Sequence, residues 1–410
     1  MPFRTALSGI NAASSQLQVI GNNIANANTT GFKSSRTEFA DVFAASSIGA
    51  ASDAIGSGVR VSNVTQQFSQ GSIDFTDNGL DVAINGNGFF QLADASNGGT
   101  VYSRDGAFSV DATGFIVNSR GDQLQARTAD TSGNITANIG GLQVNTGALP
   151  PTATTSVELG LNLDATAVVP AITPFDANNP ATFNSTTSLS VFDSQGGSQL
   201  ATTYYVKTGD NAWNTHVLIN GTELAPTAQA LTFNTNGTLA TPADGAIDYA
   251  PFALGGGTAP LALTLDYSGA GAATSQFGAA FSVDSLNQNG FPTGQLTGID
   301  ISSDGVLLAR FSNGQSNALG QIQLANFDNP QGLRQLGNNT WVESADSGVA
   351  QPNIPGVGGV GLLQSGALEG SNVDITEELV AIISAQRSFQ ANAEVITTAD
   401  ALTQTIINIR

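Results

Sequence analysis

Residues 6–33 carry the sequence ALSGINAASSQLQVIGNNIANANTTGFK, in which apolar and small residues recur every three or four positions. This spacing places them on one face of an α-helix. The face comprises Phe3, Leu7, Ile10, Ser14, Leu17, Gly21 and Ile24. The asparagines between positions 22 and 28 predict the end of the helix, because their side chains compete for the backbone. A short helix with so little charge is only marginally stable alone in water, so we expect it to pack against a partner.

The C-terminal end of the chain has the same periodicity. Its apolar face comprises Ile375, Leu379, Ile382, Gln386, Phe389, Ala393 and Ile396, and then, one position out of step, Leu402, Ile406 and Ile409. Asp374, followed three residues later by Glu377, is typical of a helix start. An apolar helix face most often belongs to the core of its own domain. Chain ends fray unless something holds them, so the alternative is that the two helices pair with each other and with further copies of the chain.

The chain between the two helices has the pattern of β-structure. Short segments rich in apolar or β-branched residues lie at 80–84, 89–92, 202–207, 261–265 and 306–311. Asn-Gly dipeptides, such as Asn220-Gly221, are frequent and are typical of tight hairpins. We therefore predict a mainly β fold with α-helical termini that pair as a coiled-coil-like unit. Two β-rich domains complete it, the outer one inserted in the inner one.

Composition and charge suggest where these parts begin and end. Between Thr128 and Ala309 the one basic residue is Lys207, against thirteen acidic residues, so this stretch holds −12 of the total charge of −20. Segments rich in Ser, Ala, Gly or Pro, with a weak helical pattern at 38–43, suit connectors. The predicted division is an N-terminal helix at 1–32, a connector at 33–70, a discontinuous β-domain at 71–145 and 288–360, an inserted acidic outer β-domain at 146–287, and a C-terminal helix at 361–410.

The composition also excludes several classes of function. The chain has no cysteine and one histidine, so thiol chemistry and zinc-thiolate sites are absent. Twelve basic residues against thirty-two acidic ones leave no basic stripe for nucleic acid or for an anionic membrane. No stretch approaches the roughly 20 apolar residues that a membrane-spanning helix needs. We expect no nucleic-acid binding and no membrane insertion.

Two features of the sequence are candidates for sites of chemistry. His216 beside Asp210 or Asp193 is the strongest candidate for catalysis, but a single histidine without a nucleophile motif is more often structural. The aspartates in GSIDFTDNGLDVAINGNGFF, residues 71–90, raise the question of calcium, yet their spacing does not match the EF-hand loop. We predict no catalytic residue, no metal site and no cofactor, and therefore no enzyme.

Several motifs resemble one known family. LSGI at 7–10, NNIAN at 22–26 and TGFK at 30–33 are similar to the N-terminal signature of the flagellar rod and hook family. GNGFF at 86–90 and YSRDGAFSVDATGFIVNSRG at 102–121 resemble its β-domain segment. The last 45 residues, from GALEGSN at 366–372 onward, are similar to its C-terminal signature.

The resemblance implies a self-assembling structural protein. Within the family, the long acidic insertion favours a hook subunit over the shorter rod proteins. Such a subunit forms a flexible curved tube that transmits torque from the rod to the filament of the bacterial flagellum. The implied partners are copies of itself, the rod and hook–filament junction proteins at the ends of the tube, and the flagellar export apparatus and hook cap during assembly. The implied location is extracellular, in the hook next to the basal body.

We predict that assembly uses apolar residues from both helices. They are Leu7, Ile10, Leu17, Ile24, Leu379, Ile382, Phe389, Ile396, Leu402 and Ile406. Two other functions stay open at this point. A distal-rod-like axial protein would share the helices but form a straight assembly, and a secreted β-rich adhesin or hydrolase would need a ligand site in the acidic domain.

Overall fold

The structure is a computed structural model that describes residues 2–42, 56–130, 133–145, 147–269 and 273–408. The described residues fall into two compact units. The terminal unit contains residues 1–145, 298–310 and 316–410, and the inserted unit contains residues 146–297 and 311–315. The terminal unit therefore holds both ends of the chain.

Two long helices belong to the terminal unit. Helix α1 spans Pro2–Ala25 and helix α2 spans Ile375–Asn408. Helix α2 begins where the sequence predicts, because the Asp374 carboxylate accepts hydrogen bonds from the backbone N–H groups of Thr376 at 2.8 Å and Glu377 at 3.2 Å. These bonds satisfy donors that the first turn of a helix would otherwise leave without partners.

The strands before the insertion are β1 (Ser35–Asp41), β2 (Val59–Gln66), β3 (Ile73–Phe75), β4 (Val82–Asn85), β5 (Phe89–Ala93), β6 (Thr100–Ser103), β7 (Ser109–Val110), β8 (Ile116–Val117), β9 (Gln123–Ala129) and β10 (Ile135–Gly141). The inserted unit contains β11 (Ser156–Asp164), β12 (Ser185–Phe192), β13 (Ser198–Gly209), β14 (Ala212–Ile219), β15 (Thr222–Glu223), β16 (Gln229–Phe233), β17 (Leu239–Thr241), β18 (Ala246–Asp248), β19 (Thr264–Asp266), β20 (Ser275–Phe277) and β21 (Ser282–Gln288).

The chain then continues through β22 (Leu296–Ile301), β23 (Val306–Phe311), β24 (Ser316–Ile322), β25 (Leu324–Asn326), β26 (Arg334–Gly337), β27 (Thr340–Val342), β28 (Gln351–Asn353), β29 (Leu362–Ser365) and β30 (Ala367–Glu369). Short 3-10 helices lie at Pro180–Thr182 and Pro330–Gly332. The architecture is thus mainly β with packed helical termini, as the sequence predicts.

The terminal unit is built on one large sheet with strand order β22-β23-β24-β9-β5-β6-β27-β26. Phe89, Tyr102, Phe327 and Trp341 form an aromatic cluster on it, with ring centroids 4.8–5.8 Å apart in edge-to-face arrangements. Such arrangements add to the free energy that ring burial contributes. Strands β29 and β30 pair with β4 and β3, which brings the chain before α2 next to the chain that follows β2.

The inserted unit is a sandwich of two sheets. One has the order β18-β19-β11-β20 with β21 also on β11, and the other has the order β12-β13-β14-β16-β17 with β15 on β14. Leucines of β11 and the buried Tyr205 and Trp213 of β13 and β14 belong to one continuous core. The Asn220-Gly221 dipeptide joins β14 to β15 with positive φ at both residues, as a tight hairpin requires.

Two regions differ from the secondary structure that the sequence predicts. The weak helix expected at 38–43 is absent over 38–41, which belong to strand β1, while Phe43 lies outside the described residues. Strand β1 pairs with β2 in an antiparallel hairpin inside the segment expected as an extended connector. Residues 362–369, expected within the C-terminal helical part, form β29 and β30. In both cases pairing with another strand outweighs local propensity, and for β29 and β30 that strand is distant in sequence.

Candidate functional site

Helices α1 and α2 pack against each other as an antiparallel pair, which we call the helix pair. Asn23, near the end of α1, donates from Nδ2 to Glu378 Oε1 at 2.7 Å near the start of α2. Gly9, in the first half of α1, lies next to Asn392 in the second half of α2. The buried side of α1 includes Ala6, Ala12, Ala13, Ile20 and Asn23, and that of α2 includes Ala385 and Ala399.

Small residues set the separation of the helix pair. A Cβ atom added at Gly9 would lie 2.5–2.7 Å from the side-chain amide atoms of Asn392, closer than atoms that are not bonded can approach. The buried alanines on both helices leave equally little side chain between the backbones. Small residues at a helix contact let two backbones approach closely and gain dispersion energy over their whole length.

The ten residues predicted for assembly lie beside this contact rather than at its centre. Ile10, Leu17, Ile24, Ile382 and Ile396 are half-buried, whereas Leu7, Leu379, Phe389, Leu402 and Ile406 are exposed. On α1 the buried positions 6, 13 and 20 each precede by one residue a position of the predicted apolar face, namely Leu7, Ser14 and Gly21. The large apolar side chains therefore remain available to a further partner, and their role in assembly stays a prediction.

The end of α2 extends past the start of α1. Asn23 faces Glu378 and Gly9 faces Asn392, so the antiparallel register runs out near Ala399. Residues 400–408 are all exposed, and Leu402, Ile406 and Ile407 are each about two-thirds exposed. At 1.5 Å per residue this overhang is about 13 Å long. It presents apolar side chains that the helix pair itself does not cover.

The helix pair joins the β-structure of the terminal unit through two asparagines. Asn23 accepts from the backbone N–H of Ser35 at 2.9 Å and donates to the Ser35 carbonyl at 2.8 Å. Asn372, just before α2, accepts from the N–H of Ser34 at 2.7 Å and donates to the carbonyl of Gln67 at 2.7 Å. Each side-chain amide thus forms hydrogen bonds with backbone groups of another segment of the chain. These bonds fix the direction in which each helix leaves the β-structure.

A buried ionic cluster lies at the same place. Lys33 Nζ is 2.7 Å from Glu369 Oε1, and Arg104 Nη1 is 3.1 Å from Glu369 Oε2. The side chains of Lys33 and Glu369 are fully buried and that of Arg104 is 3% exposed. Burial lowers the pKa of Lys33 and of Arg104 from their ordinary values, and the Glu369 carboxylate opposes both shifts. Ser69 completes the cluster by accepting a 2.7 Å bond from Lys33 Nζ through its carbonyl.

Gly31 allows the chain after α1 to reach this cluster. Its φ is +68°, and an added Cβ would lie 2.6 Å from the backbone nitrogen of Asp105. Its own N–H donates to the Glu369 carbonyl at 2.8 Å. A side chain at this position would meet both a backbone conformation unfavourable to L-residues and a direct clash.

Three of the motifs quoted above therefore meet in one place, which we call the joint: residues 30–35, 66–72, 103–105 and 369–372. Lys33 belongs to TGFK, Arg104 to YSRDG and Glu369 to GALEGSN. Each motif is visible in the sequence, but the sequence does not show that the three meet. The available signal is the presence of charged residues in all three motifs, in a chain where only 11% of residues are charged.

The inserted unit places the single histidine differently from the arrangement considered for catalysis. His216 Nδ1 lies 2.5 Å from Glu223 Oε1, and the imidazole stacks on Phe175 with centroids 4.1 Å apart. Asp193 instead accepts hydrogen bonds from Gln195, Gly197 and Gln199 within its own turn. These contacts are those of a structural histidine and a turn aspartate.

Among the described residues, no group of three or more His, Cys, Asp or Glu side chains is arranged to hold a metal ion. None of the helices that the structure describes combines the length and the apolar character needed to cross a bilayer.

Four sequence families match successive parts of the chain. Residues 3–33 match the family described as Flagella basal body rod protein, and residues 83–162 match the Flagellar hook protein FlgE/F/G D1 domain. Residues 162–291 match the Flagellar basal body protein FlaE D2 domain, and residues 364–409 match the Flagellar basal body rod FlgEFG protein C-terminal family. Together with the helix pair and the two β-rich units, these matches define a structural protein of the flagellar rod and hook class.

Relatives that align with the full length of this chain show to which family within this class it belongs. The chain is 41% identical to the flagellar hook protein FlgE of Escherichia coli (strain K12), with all of both chains covered. It is 35% identical to that of Rhizobium meliloti (strain 1021), covering 100% of this chain and 98% of the relative. The chain belongs to the flagellar hook protein FlgE family, and its role is that of a structural subunit of the flagellar hook.

A solved structure shows the same fold. The crystal structure of Helicobacter pylori flagellar hook protein FlgE2 aligns with a TM-score of 0.57 at 15% sequence identity. The alignment covers 72% of this chain and all of the solved chain.

Proposed function

We propose that copies of this chain polymerise through their helix pairs into a curved, flexible tube that transmits motor torque from the rod to the filament. The observation that carries the proposal is the distribution of apolar side chains on α1 and α2. Leu7, Leu379, Leu402 and Ile406 are half exposed or more, although both β-rich units bury their own apolar cores. When another copy covers this apolar surface and removes it from water, the free energy of the system decreases.

The parts of the chain have separate roles in this proposal. The helix pair lines the tube, the β-structure of the terminal unit forms its wall, and the acidic inserted unit forms the outer layer. Contacts between copies that do not close into a ring extend as an open helical assembly. The unit division of the chain and the exposure of the helices support this arrangement.

The proposed partners follow from the position of a hook between two other structures. They are the rod protein at one end, the hook–filament junction protein at the other, and the export apparatus and hook cap during assembly. The tube lies outside the cell, and the chain has no catalytic role. The absence of cysteine supports export as an unfolded chain, because no disulfide restricts its threading.

The proposal is tested by electron microscopy of two full-length variants. Ile406→Asp places a charge in the exposed apolar overhang of α2, and Gln404→Asp adds the same charge at an exposed polar position in the same turn. We expect curved tubes from the parent chain and from Gln404→Asp, but none from Ile406→Asp, because burial of an unpaired carboxylate is costly. Equal assembly of both variants would contradict a role for the overhang.

The shape of the tubes tests the second part of the proposal. A distal-rod-like protein would give straight, stiff tubes, whereas a hook subunit gives curved ones that bend. The full-length similarity to hook proteins favours curvature. Straight tubes under every condition of pH and salt would overturn the proposed bending function while leaving assembly through the helices intact.

A further inference from the structure

Within the joint, Lys33, Arg104 and Glu369 form a buried cluster of two cations around one carboxylate. Lys33 and Arg104 carry two positive charges, and the one carboxylate that both contact is Glu369. Glu369 attracts the Lys33 ammonium group, whereas Arg104 repels it. The Nε atom of Arg104 also has no hydrogen-bond partner among the described residues. The cluster thus holds one more cation than its anion can neutralise.

The three residues come from segments far apart in the chain. Lys33 follows α1, Arg104 follows β6, and Glu369 ends β30 just before α2. Both oxygens of Glu369 are engaged, Oε1 by Lys33 and by the Gly71 N–H at 3.0 Å, and Oε2 by Arg104. One side chain therefore bonds the segment leaving α1, the segment leaving β2 and the β-structure at once.

We propose that Glu369 is the counter-ion of a charge lock, in which it holds Lys33 and Arg104 together and so fixes both connections of the helix pair to the β-structure. Without Glu369 two like charges face each other in a place from which water is excluded, and the joint opens.

The lock also depends on completion of the chain. Lys33 and Glu369 are separated by 336 residues, so the cluster cannot form until the segment next to α2 is present. Until then the two cations repel each other, and the segment after α1 has no stable place on the β-structure. The connections of the helix pair are consequently fixed only once the chain extends past Glu369.

The number of charges left in the cluster predicts that two variants destabilise it to different extents. Lys33→Met leaves one cation with one anion, a balanced pair, whereas Glu369→Gln leaves two cations without an anion. Removing one partner of a buried ion pair is strongly destabilising, because the other charge is left without a counter-ion. We expect replacement of a buried charge to be tolerated better when the remaining charges are still paired. A cluster that acted only through packing would respond similarly to both changes.

The experiment is amide hydrogen exchange on the unassembled full-length protein, so its result does not depend on whether tubes form. The reporters are Gly31 N–H, bonded to the Glu369 carbonyl, and Gly370 N–H, bonded to the Ser72 carbonyl. We expect Glu369→Gln to accelerate their exchange by about a hundredfold or more, and Lys33→Met by less than about tenfold. Glu38→Gln, which changes an exposed ion pair, is the matched control and leaves exchange at the joint unchanged.

The double variant Lys33→Met/Glu369→Gln decides the mechanism. It removes one of the two like charges, so we expect exchange at least about tenfold slower than in Glu369→Gln alone. If Glu369→Gln leaves the terminal unit unfolded, refolding in the double variant supports the lock. Equal effects of Lys33→Met and Glu369→Gln, or a double variant no better than Glu369→Gln, would overturn it.

Discussion

Gly31 shows how one residue can fix the course of the chain. It has a φ of +68°, and its α-carbon lies against the backbone of Arg104 and Asp105. Gly98 provides a comparison, because its φ of +69° is nearly the same, but no atom lies within 4 Å of an added Cβ. The two glycines thus separate the cost of backbone conformation from the cost of a clash.

We predict that Gly31→Ala destabilises the terminal unit more than Gly98→Ala does. The backbone conformation costs about 1–2 kcal/mol in both variants. In Gly31→Ala the methyl group must also displace backbone atoms, which adds roughly 1–3 kcal/mol. Denaturant unfolding followed by Trp341 fluorescence measures both changes. Equal losses would show that the contact with Asp105 relaxes without cost.

Helix α2 is the element whose two ends behave differently. Its first turn is capped by Asp374, followed by Glu377 and Glu378, which complement the positive end of the helix dipole. Its last nine described residues have no partner in the helix pair and are all exposed. The start of α2 is therefore stabilised within the chain, while its end depends on other copies.

At the scale of this element we predict that Asp374→Ala weakens the helix pair. The change removes the acceptor of two backbone N–H groups and costs about 1 kcal/mol. Asp400→Ala is the control, since it removes an exposed carboxylate far from the helix start. Hydrogen exchange over residues 376–382 measures the effect. No difference between the two variants would mean that other contacts fix the start of α2.

The whole molecule consists of two units whose buried tyrosines are unequally distributed. Tyr205, Tyr249 and Tyr267 lie in the inserted unit and Tyr102 in the terminal unit. Burial raises the pKa of Tyr249 and of Tyr102 to about 12 and raises the pKa of Tyr205 and Tyr267 above the ordinary value. The folded state therefore keeps protons that the unfolded chain releases near pH 10.

We predict that the inserted unit unfolds at lower alkaline pH than the terminal unit. Stability from the buried tyrosines is complete below about pH 10 and is lost as the pH rises above it. In the terminal unit, burial lowers the pKa of Lys33, so its contribution has the opposite sign and favours the folded state as the pH rises. The two units should consequently unfold at different pH values in an alkaline titration.

Each unit contains one tryptophan, Trp213 in the inserted unit and Trp341 in the terminal unit, so fluorescence can follow them separately. The variants Trp341→Phe and Trp213→Phe isolate the two signals. As the pH rises, we expect the Trp213 fluorescence transition before that of Trp341. The ring of Tyr204 is only half-buried, so stability should depend less steeply on pH in Tyr267→Phe than in Tyr204→Phe. A Trp341 transition at the lower pH would refute the order.

Much of this fold could be inferred from the sequence because its signals are local. Apolar residues at helical spacing, an Asp374 cap and asparagines after the first helix locate α1 and α2 within a few residues. Alternating apolar segments and Asn-Gly turns indicate the β-structure between them. The family resemblance rests on long motifs that are likewise visible in the sequence itself.

The partners of these elements could be known only from the tertiary structure. Spacing alone favoured the large residues Leu7 and Leu17 as the contact face of α1, yet Gly9 lies against Asn392 of α2. The small residues Ala6 and Ala13 are buried, whereas Leu7 is exposed. Likewise, nothing local in the chain pairs Lys33 with Glu369. Periodicity reflects neighbours along one helix or strand, whereas the choice of partner depends on packing and charge between segments hundreds of residues apart.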